Sequence, residues 1–266
     1  MKVYALFFCA AVIIIHNGCS HTKKTTASKM NFASNIVVAH RGAWKKNNLP
    51  ENSIASLREA VRIGCAGSEF DVHLTADDTL IVNHDDKYAG KKIEENTYAS
   101  LAETKLSNGE TIPTVRAYLL AGMQQHTTKL VFEIKPSAIS KERGQILARK
   151  CVELVKELKA EPWVMYISFD YDIVKKVLEL QPGANVAYLN GEKSPGQLKA
   201  DNVPGLDYHY SVFKKNPGWV AEAKQNNVEL NVWTVNSAED MKWFIDQKFD
   251  YITTNEPELL FELLNK

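Results

Sequence analysis

The stretch Gly67-Ser68-Glu69-Phe70-Asp71-Val72-His73-Leu74 reads as a β-strand with two unlike faces. Side chains alternate along a strand, so Phe70 and Val72 share one face while Glu69 and Asp71 share the other. A strand buried in a parallel sheet is ordinarily a near-continuous apolar run. Carboxylates at alternate positions predict a strand that packs helices on one side and faces a polar mouth on the other. The same interruption recurs in Phe132-Glu133-Ile134-Lys135, where Glu133 and Lys135 share a face. A third strand-like run ends in His40-Arg41.

Working outward, β-rich runs alternate with helical patterns from Asn35 onward. The predicted strands are Ile36–His40, Gly67–Leu74, Lys129–Lys135, Val164–Phe169, Asn185–Leu189, Gly205–His209, Val228–Val235 and Tyr251–Thr254. Helices are predicted over Ser53–Ile63, Lys141–Leu158, Tyr171–Leu180, Gly218–Asn226 and Ala238–Gln247. This alternation predicts a parallel sheet closed into an α/β barrel. Its site is expected at the carboxyl ends of the strands. The segment Asp77 to Thr128 is too long for a plain crossover and carries a short extra strand, Leu80–Asn83, ending at His84-Asp85. A small insertion after strand two therefore falls on the functional face.

The chain has 266 residues, with Lys+Arg 32 and Asp+Glu 32. A formal charge of zero provides no counterion-release term, so no nucleic-acid partner is expected. Of four cysteines, Cys65 and Cys151 lie in the body and none forms a CxxC, which argues against a thiolate zinc site. Lys2 precedes thirteen uncharged residues, Val3 to Ile15, a run that fits the core of an export signal. Gly18-Cys19 closes it and resembles a bacterial lipoprotein cleavage site, although His16 stands where Leu is preferred. The expected organisation is a leader over 1–19, a flexible Ser/Thr/Lys-rich tether over 20–34 and a barrel over 35–266. Localisation follows as exported and membrane-anchored through Cys19 at the bacterial periplasm or cell surface, or otherwise secreted or periplasmic, with membrane contact through the N-terminus only.

Taken singly, each polar group has an ordinary structural role. Glu69 and Asp71 fit an exposed strand edge, Glu133 and Lys135 an ion pair, and His84-Asp85-Asp86 a turn. Their joint placement at three strand ends and one adjoining excursion requires four coincidences. Carboxylates crowded together raise each other's pKa, and a divalent cation removes that cost. Oxygen donors without cysteine suit Mg²⁺ or Ca²⁺ better than Zn²⁺.

In order along the chain stand His40-Arg41-Gly42, Pro50-Glu51-Asn52-Ser53, Glu69-x-Asp71-Val72-x-x-Thr75-x-Asp77, His84-Asp85, Glu133-Ile134-Lys135 and Val232-Trp233-Thr234-Val235-Asn236. This series resembles the glycerophosphodiester phosphodiesterase family from about His40 to Pro257. The closing run Asp250 to Pro257 also fits, with Asn255 where the family usually has Asp. Asp86-Lys87-Tyr88 stands where many members carry Arg-Thr, a departure that bears on head-group choice. The resemblance implies a TIM (β/α)₈ barrel, one divalent cation, and hydrolysis of glycerophosphodiesters to glycerol 3-phosphate and an alcohol. It implies metal ligation by Glu69, Asp71 and Glu133, and general acid–base chemistry by His40 and His84. Arg41 and Lys135 become phosphate contacts, and Trp233 a wall of the glycerol pocket. Glu51 is placed near the site, and Asn52 or Ser53 caps the first helix. The chemistry agrees: a phosphodiester gains charge density in its transition state, and histidine exchanges protons in the working pH range.

Three other readings compete. A sphingomyelinase-D-like phospholipase would want an apolar loop at the mouth, whereas Lys87 to Lys92 is polar and basic. A non-catalytic polyol-phosphate-binding surface lipoprotein would be expected to have lost a catalytic or ligand position. An amidohydrolase-type barrel would want His-x-His after strand one, where His40-Arg41-Gly42 stands.

Overall fold

In the computed structural model, which describes residues 1–3 and 30–265, the chain alternates strand and helix around one closed barrel. It begins with β1 (Val37–Ala39), α1 (Ile54–Ile63) and β2 (Gly67–Leu74). The excursion follows as β3 (Leu80–Val82), a hairpin of β4 (Lys87–Tyr88) and β5 (Lys91–Lys92), a 3₁₀ turn over Ile93–Glu95, and α2 (Tyr98–Leu101). The barrel resumes with α3 (Val115–Gly122), β6 (Lys129–Ile134), α4 (Lys141–Leu158), β7 (Val164–Ser168), α5 (Tyr171–Leu180) and β8 (Val186–Tyr188). It closes with α6 (Pro195–Ala200), β9 (Gly205–His209), α7 (Tyr210–Lys215), α8 (Trp219–Asn226), β10 (Glu229–Trp233), α9 (Ala238–Asp246), β11 (Tyr251–Thr254) and α10 (Pro257–Leu264).

Eight parallel strands pair in the order β1-β2-β6-β7-β8-β9-β10-β11, and β1 pairs with β11 to shut the ring. The expected TIM barrel is therefore present. β3 adds antiparallel to β2, with Val72 opposite Val82, so the excursion starts as a hairpin on the strand that carries Glu69 and Asp71. Four helices read only weakly in the sequence. α3, α6 and α7 are six to eight residues long, too short to show a clear period, and α10 starts at a proline.

The strand period sorts the core into two shells. Phe70, Val72, Phe132, Ile134, Tyr166 and Tyr208 point outward into the layer beneath the helices. Val38, Val131, Met165, Ile167, Ala187 and Leu189 point inward and fill the barrel. Burial of the outward set fixes the register, since a one-residue slip would move Glu69 and Asp71 into the helix layer. α1 starts where Ser53 accepts a bond from the Ser56 amide and Ser56 answers to the Ser53 amide, and Gly64 ends it at φ 84°.

Residues 30–33, expected to belong to the tether, pack against the barrel. Met30 and Phe32 pack on the core, and the Asn31 and Ala33 amides donate to the His126 and Thr127 carbonyls. Lys129 also sits over the Phe32 ring, 4.7 Å from its centroid. Among the described residues packing thus extends back to Met30, ahead of Asn35, because two apolar side chains at alternate positions have a groove to enter. The export core, Gly18-Cys19 and residues 20–29 of the tether lie outside the described residues.

Candidate active site

A cavity of about 170 Å³ opens at the carboxyl ends of the barrel strands. His40, Arg41, Glu69, His84, Glu133, Lys135 and Trp233 all line it, and Asp71 is buried directly behind. The residues predicted from sequence therefore converge on one place. A wider groove of about 370 Å³ between β3, α3 and α4 is lined by charges already paired with one another, Arg116 with Glu157 and Lys150 with Asp78. It has no convergent chemistry.

The acidic cluster comes from two neighbouring strands. Asp71 and Glu133 stand opposite each other in the β2–β6 register, and Glu69 is one inward position below Asp71. One oxygen from each of the three lies within 4.8 Å of the others. The Lys135 ammonium sits 2.7 Å from Asp71 Oδ1 and 2.8 Å from Glu133 Oε1. Glu69 Oε1 is buried with no hydrogen-bond partner. Burial, then Asp71, pushes the Glu133 carboxyl up to about 8. Burial and the same neighbours raise Glu69. Burial is the largest influence on Asp71 and works against it too, but the charge and hydrogen bond of Lys135, with His84 and the Asn52 hydrogen bond, together outweigh it and hold Asp71 down at about 2. Were all three ionised, one ammonium would leave two negative charges uncompensated. An orphaned oxygen and that charge deficit fit a divalent cation on oxygen ligands.

The loop after β1 is built to present Arg41. Arg41 has φ 57° and Gly42 has φ 81°, a paired left-handed turn. A Cβ at Gly42 would lie 2.5 Å from Ser56 Oγ, so only glycine lets this turn sit against α1. The Arg41 amide donates to Glu69 Oε2 at 2.8 Å. Its guanidinium donates to Glu51 at 2.9 Å, and Nε lies 3.8 Å from Asp71 Oδ2. Arg41 thus reaches the cluster while Glu51 anchors its far end.

His40 places Nδ1 2.8 Å from Asn255 Oδ1 and Nε2 3.9 Å from Glu69 Oε2. Because the amide oxygen only accepts, Nδ1 carries the hydrogen and Nε2 faces the site with its lone pair. Burial, then the Arg41 charge, pushes the His40 pKa down to about 4. His84 arrives from the excursion. The Asn83 amide donates to the Asp71 carbonyl at 3.0 Å, and His84 Nδ1 pairs with Asp85 Oδ1 at 2.7 Å. The far wall is aromatic: Trp233 donates its indole N–H to the Asp207 carbonyl at 2.9 Å and meets Phe169 edge-on at 5.3 Å.

Three residues belong to the site beyond those singled out as chemical. Asn52, at φ 56°, bridges Asp71 by donating to Oδ2 at 2.8 Å and accepting from the Asp71 amide at 3.1 Å. It is Ser53, not Asn52, that caps α1. Asn255 orients His40, and Asp207 lies on the cavity floor. Only the Pro-Glu-Asn run carried a signal for Asn52. Thr75 and Asp77, by contrast, shape the turn before β3, with Thr75 Oγ1 bonding Asp77 at 2.5 Å. His73 donates from Nε2 to the His84 carbonyl at 3.2 Å, and His209 bonds Ser211 at the start of α7.

Comparison with known proteins agrees with this geometry. The sequence matches the glycerophosphoryl diester phosphodiesterase family over residues 40–259. A glycerophosphodiester phosphodiesterase from Caldanaerobacter subterraneus is 32% identical over 246 residues, covering 87% of this chain and 98% of the relative. A solved glycerophosphodiester phosphodiesterase from Parabacteroides distasonis is 43% identical, with a TM-score of 0.84 over 88% of this chain and 98% of that one. A phosphodiesterase from Oleispira antarctica, solved with its product sn-glycerol-3-phosphate, shares the fold at 23% identity and a TM-score of 0.75, over 87% of this chain and 97% of that one. An inward acidic triad at the mouth of a (β/α)₈ barrel, two histidines at its rim and a match that spans most of the barrel lead to one placement: the chain belongs to the glycerophosphodiester phosphodiesterase family.

Proposed function

We propose that the protein hydrolyses glycerophosphodiesters to glycerol 3-phosphate and an alcohol, with one divalent cation, Mg²⁺ or Ca²⁺, held by Glu69, Asp71 and Glu133. The observation that supports this most is the buried triad with an orphaned oxygen beside two rim histidines in one cavity. The cation supplies positive charge for the phosphoryl oxygens as negative charge builds. Arg41 and Lys135 add fixed cations on the same side, and both are already anchored, so little reorganisation is needed when the phosphate enters. One histidine removes a proton from the attacking hydroxyl and the other delivers one to the departing alkoxide as the P–O bond breaks. Trp233 and Phe169 present an apolar face to the carbon skeleton of the glycerol unit.

The reading is tested by assaying glycerophosphocholine, glycerophosphoethanolamine and glycerophosphoinositol with and without EDTA. Turnover that stops on chelation and returns with Mg²⁺ or Ca²⁺ is expected. Full turnover in protein shown to be free of metal would overturn it. The leader adds a second part: we infer export and membrane attachment through a lipidated Cys19. Fractionation with membrane, and its loss in Cys19→Ala, is the expected result. A wild-type protein found wholly in the cytosol with its leader intact would refute export.

A further inference from the structure

Asp207 is a buried carboxyl that the chemistry above does not use. It lies in the middle of β9, facing inward, opposite Asn231 of β10. It is 3% exposed, and its Oδ1 has no hydrogen-bond partner. Glu229 is the one charged neighbour that acts on it, and like Asp207 it is acidic. No structural need of the barrel accounts for a carboxyl there, since an unpaired polar group buried in a core costs stability.

Its position gives it a use. Asp207 lines the active-site cavity on the side away from the acidic triad. There Ile167, Phe169, Leu189 and Trp233 make most of the wall apolar, Thr234 and Thr253 add only neutral hydroxyls, and Asp207 is its one carboxyl. Trp233 is pinned to the Asp207 main chain by its indole N–H, so ring and carboxyl hold a fixed relation. An apolar wall suits a carbon skeleton but not the hydroxyls a polyol carries, and each hydroxyl that enters must find a polar partner.

We propose that Asp207 is a specificity-determining residue that hydrogen-bonds a hydroxyl of the polyol part of the substrate. The proposal rests on the phosphodiesterase reading of the cavity. It concerns recognition of a hydroxylated chain and not the phosphate, which the cationic side holds. Burial raises the Asp207 carboxyl to about 8, so near neutral pH the protonated group both donates and accepts. The competing account is that a lone internal water satisfies Oδ1, since Asp207 also borders a small interior cavity of about 10 Å³.

Binding, measured without turnover, separates these. Calorimetric titration of the Mg²⁺-loaded protein with sn-glycerol 3-phosphate and with propyl phosphate compares two phosphates that differ only in their hydroxyls. The wild type is expected to prefer glycerol phosphate about tenfold or more. Asp207→Leu, which keeps the side-chain shape, is expected to lose that preference by weakening glycerol phosphate alone. Asp207→Asn, which keeps a donor and an acceptor, is expected to retain most of it. Equal weakening of both ligands in Asp207→Leu, or no weakening of either, overturns the proposal. A wild type with no preference for glycerol phosphate over propyl phosphate overturns it as well, and glycerophosphodiester turnover by wild type shows separately whether the phosphodiesterase reading stands.

Discussion

The two walls of the cavity solve the problem of buried charge in opposite ways. On β2 and β6, Glu69, Asp71 and Glu133 are gathered within reach of one ion and of Lys135. On the far side, β7 to β10 present Ile167, Leu189, Phe169 and Trp233, with Asp207 as a lone carboxyl. Glu133 and Asp207 are both raised to about 8, yet for different reasons. Glu133 is raised by burial and then by Asp71, a cause that a bound cation cancels. Asp207 is raised by burial and then by Glu229, which a cation in the triad does not touch. In the proposed reaction one wall holds charge on the reacting phosphate, and the other reads what the phosphate is attached to.

The strongest way to break this division is to damage the charged wall. Glu69→Gln or Asp71→Asn is expected to lower kcat/KM by about 10³-fold or more, because several kcal/mol of charge stabilisation depends on the cation. Circular dichroism should show an intact barrel, since both substitutions keep the side-chain shape. Isothermal titration with Mg²⁺ or Ca²⁺ should show weakened binding in the same variants. Wild-type turnover in either variant would remove the triad from the chemistry.

Next in size are the rim histidines. His40→Ala and His84→Ala are each expected to lower kcat by about 10²–10⁴-fold. The double variant should fall little further, because groups that act in one proton relay do not add. An aryl phosphodiester with a good leaving group should rescue whichever variant lacks the acid, which assigns the two roles. Near-normal turnover in His84→Ala would make His84-Asp85 a turn and nothing more.

Much of the charged wall was legible in the sequence because period two and two neighbouring strands fix it. Once Phe70 and Val72 face the helices, Glu69 and Asp71 must face the mouth. The far wall was less legible. Asp207 sits in Gly205-Leu206-Asp207-Tyr208-His209, where one carboxyl in a strand has no partner nearby in sequence to mark it. Its meaning depends on Ile167, Leu189 and Trp233, which arrive from three other strands. Asn52 was hidden for a different reason. Asn beside Ser before a helix reads as a cap, and only the positive φ at Asn52 turns its amide away from α1 toward Asp71. The packing of Met30 and Phe32 was hidden by the polar residues around them.

The comparison of the two raised carboxyls can be sharpened by stability. Glu133 ordinarily titrates at 4.5 and is raised when folded, so its contribution is intact below about pH 4.5 and is lost as pH climbs through about 8. Asp207 behaves alike, starting from 3.8. Asp71, held down at about 2, acts in reverse and costs stability only as pH falls below 3.8 toward 2. Metal-free protein should therefore be less stable to unfolding at about pH 9 than at about pH 5, by a few kcal/mol. Mg²⁺ or Ca²⁺ should recover the part due to the triad. Asp207→Leu should recover the remainder at about pH 9 with no dependence on metal. If the cation alone restored the whole loss, Asp207 would ionise at no cost and its wall would not be the dry one described here.

The smallest expected effect comes from one atom beside His40. Asn255 offers His40 Nδ1 an uncharged oxygen at 2.8 Å, which fixes the ring and favours its protonated form less than burial and Arg41 oppose it. A carboxylate at that distance favours the charged imidazolium, and opposite charges so close raise a pKa by about one to three units. Asn255→Asp keeps the size and the accepting oxygen, so the ring orientation and the fold should persist. The pKa of His40 should rise from its low value near 4. If His40 serves as base, the acid limb of kcat/KM moves to higher pH by about one unit or more, and turnover at mildly acid pH falls. If it serves as acid, the alkaline limb moves the same way and the active range widens upward. The profile of Asn255→Asp against wild type, at saturating metal, reads which limb belongs to His40. A profile unmoved at both limbs would show that the ionisation of His40 is not what activity reports, and that Asn255 does no more than hold the ring in place.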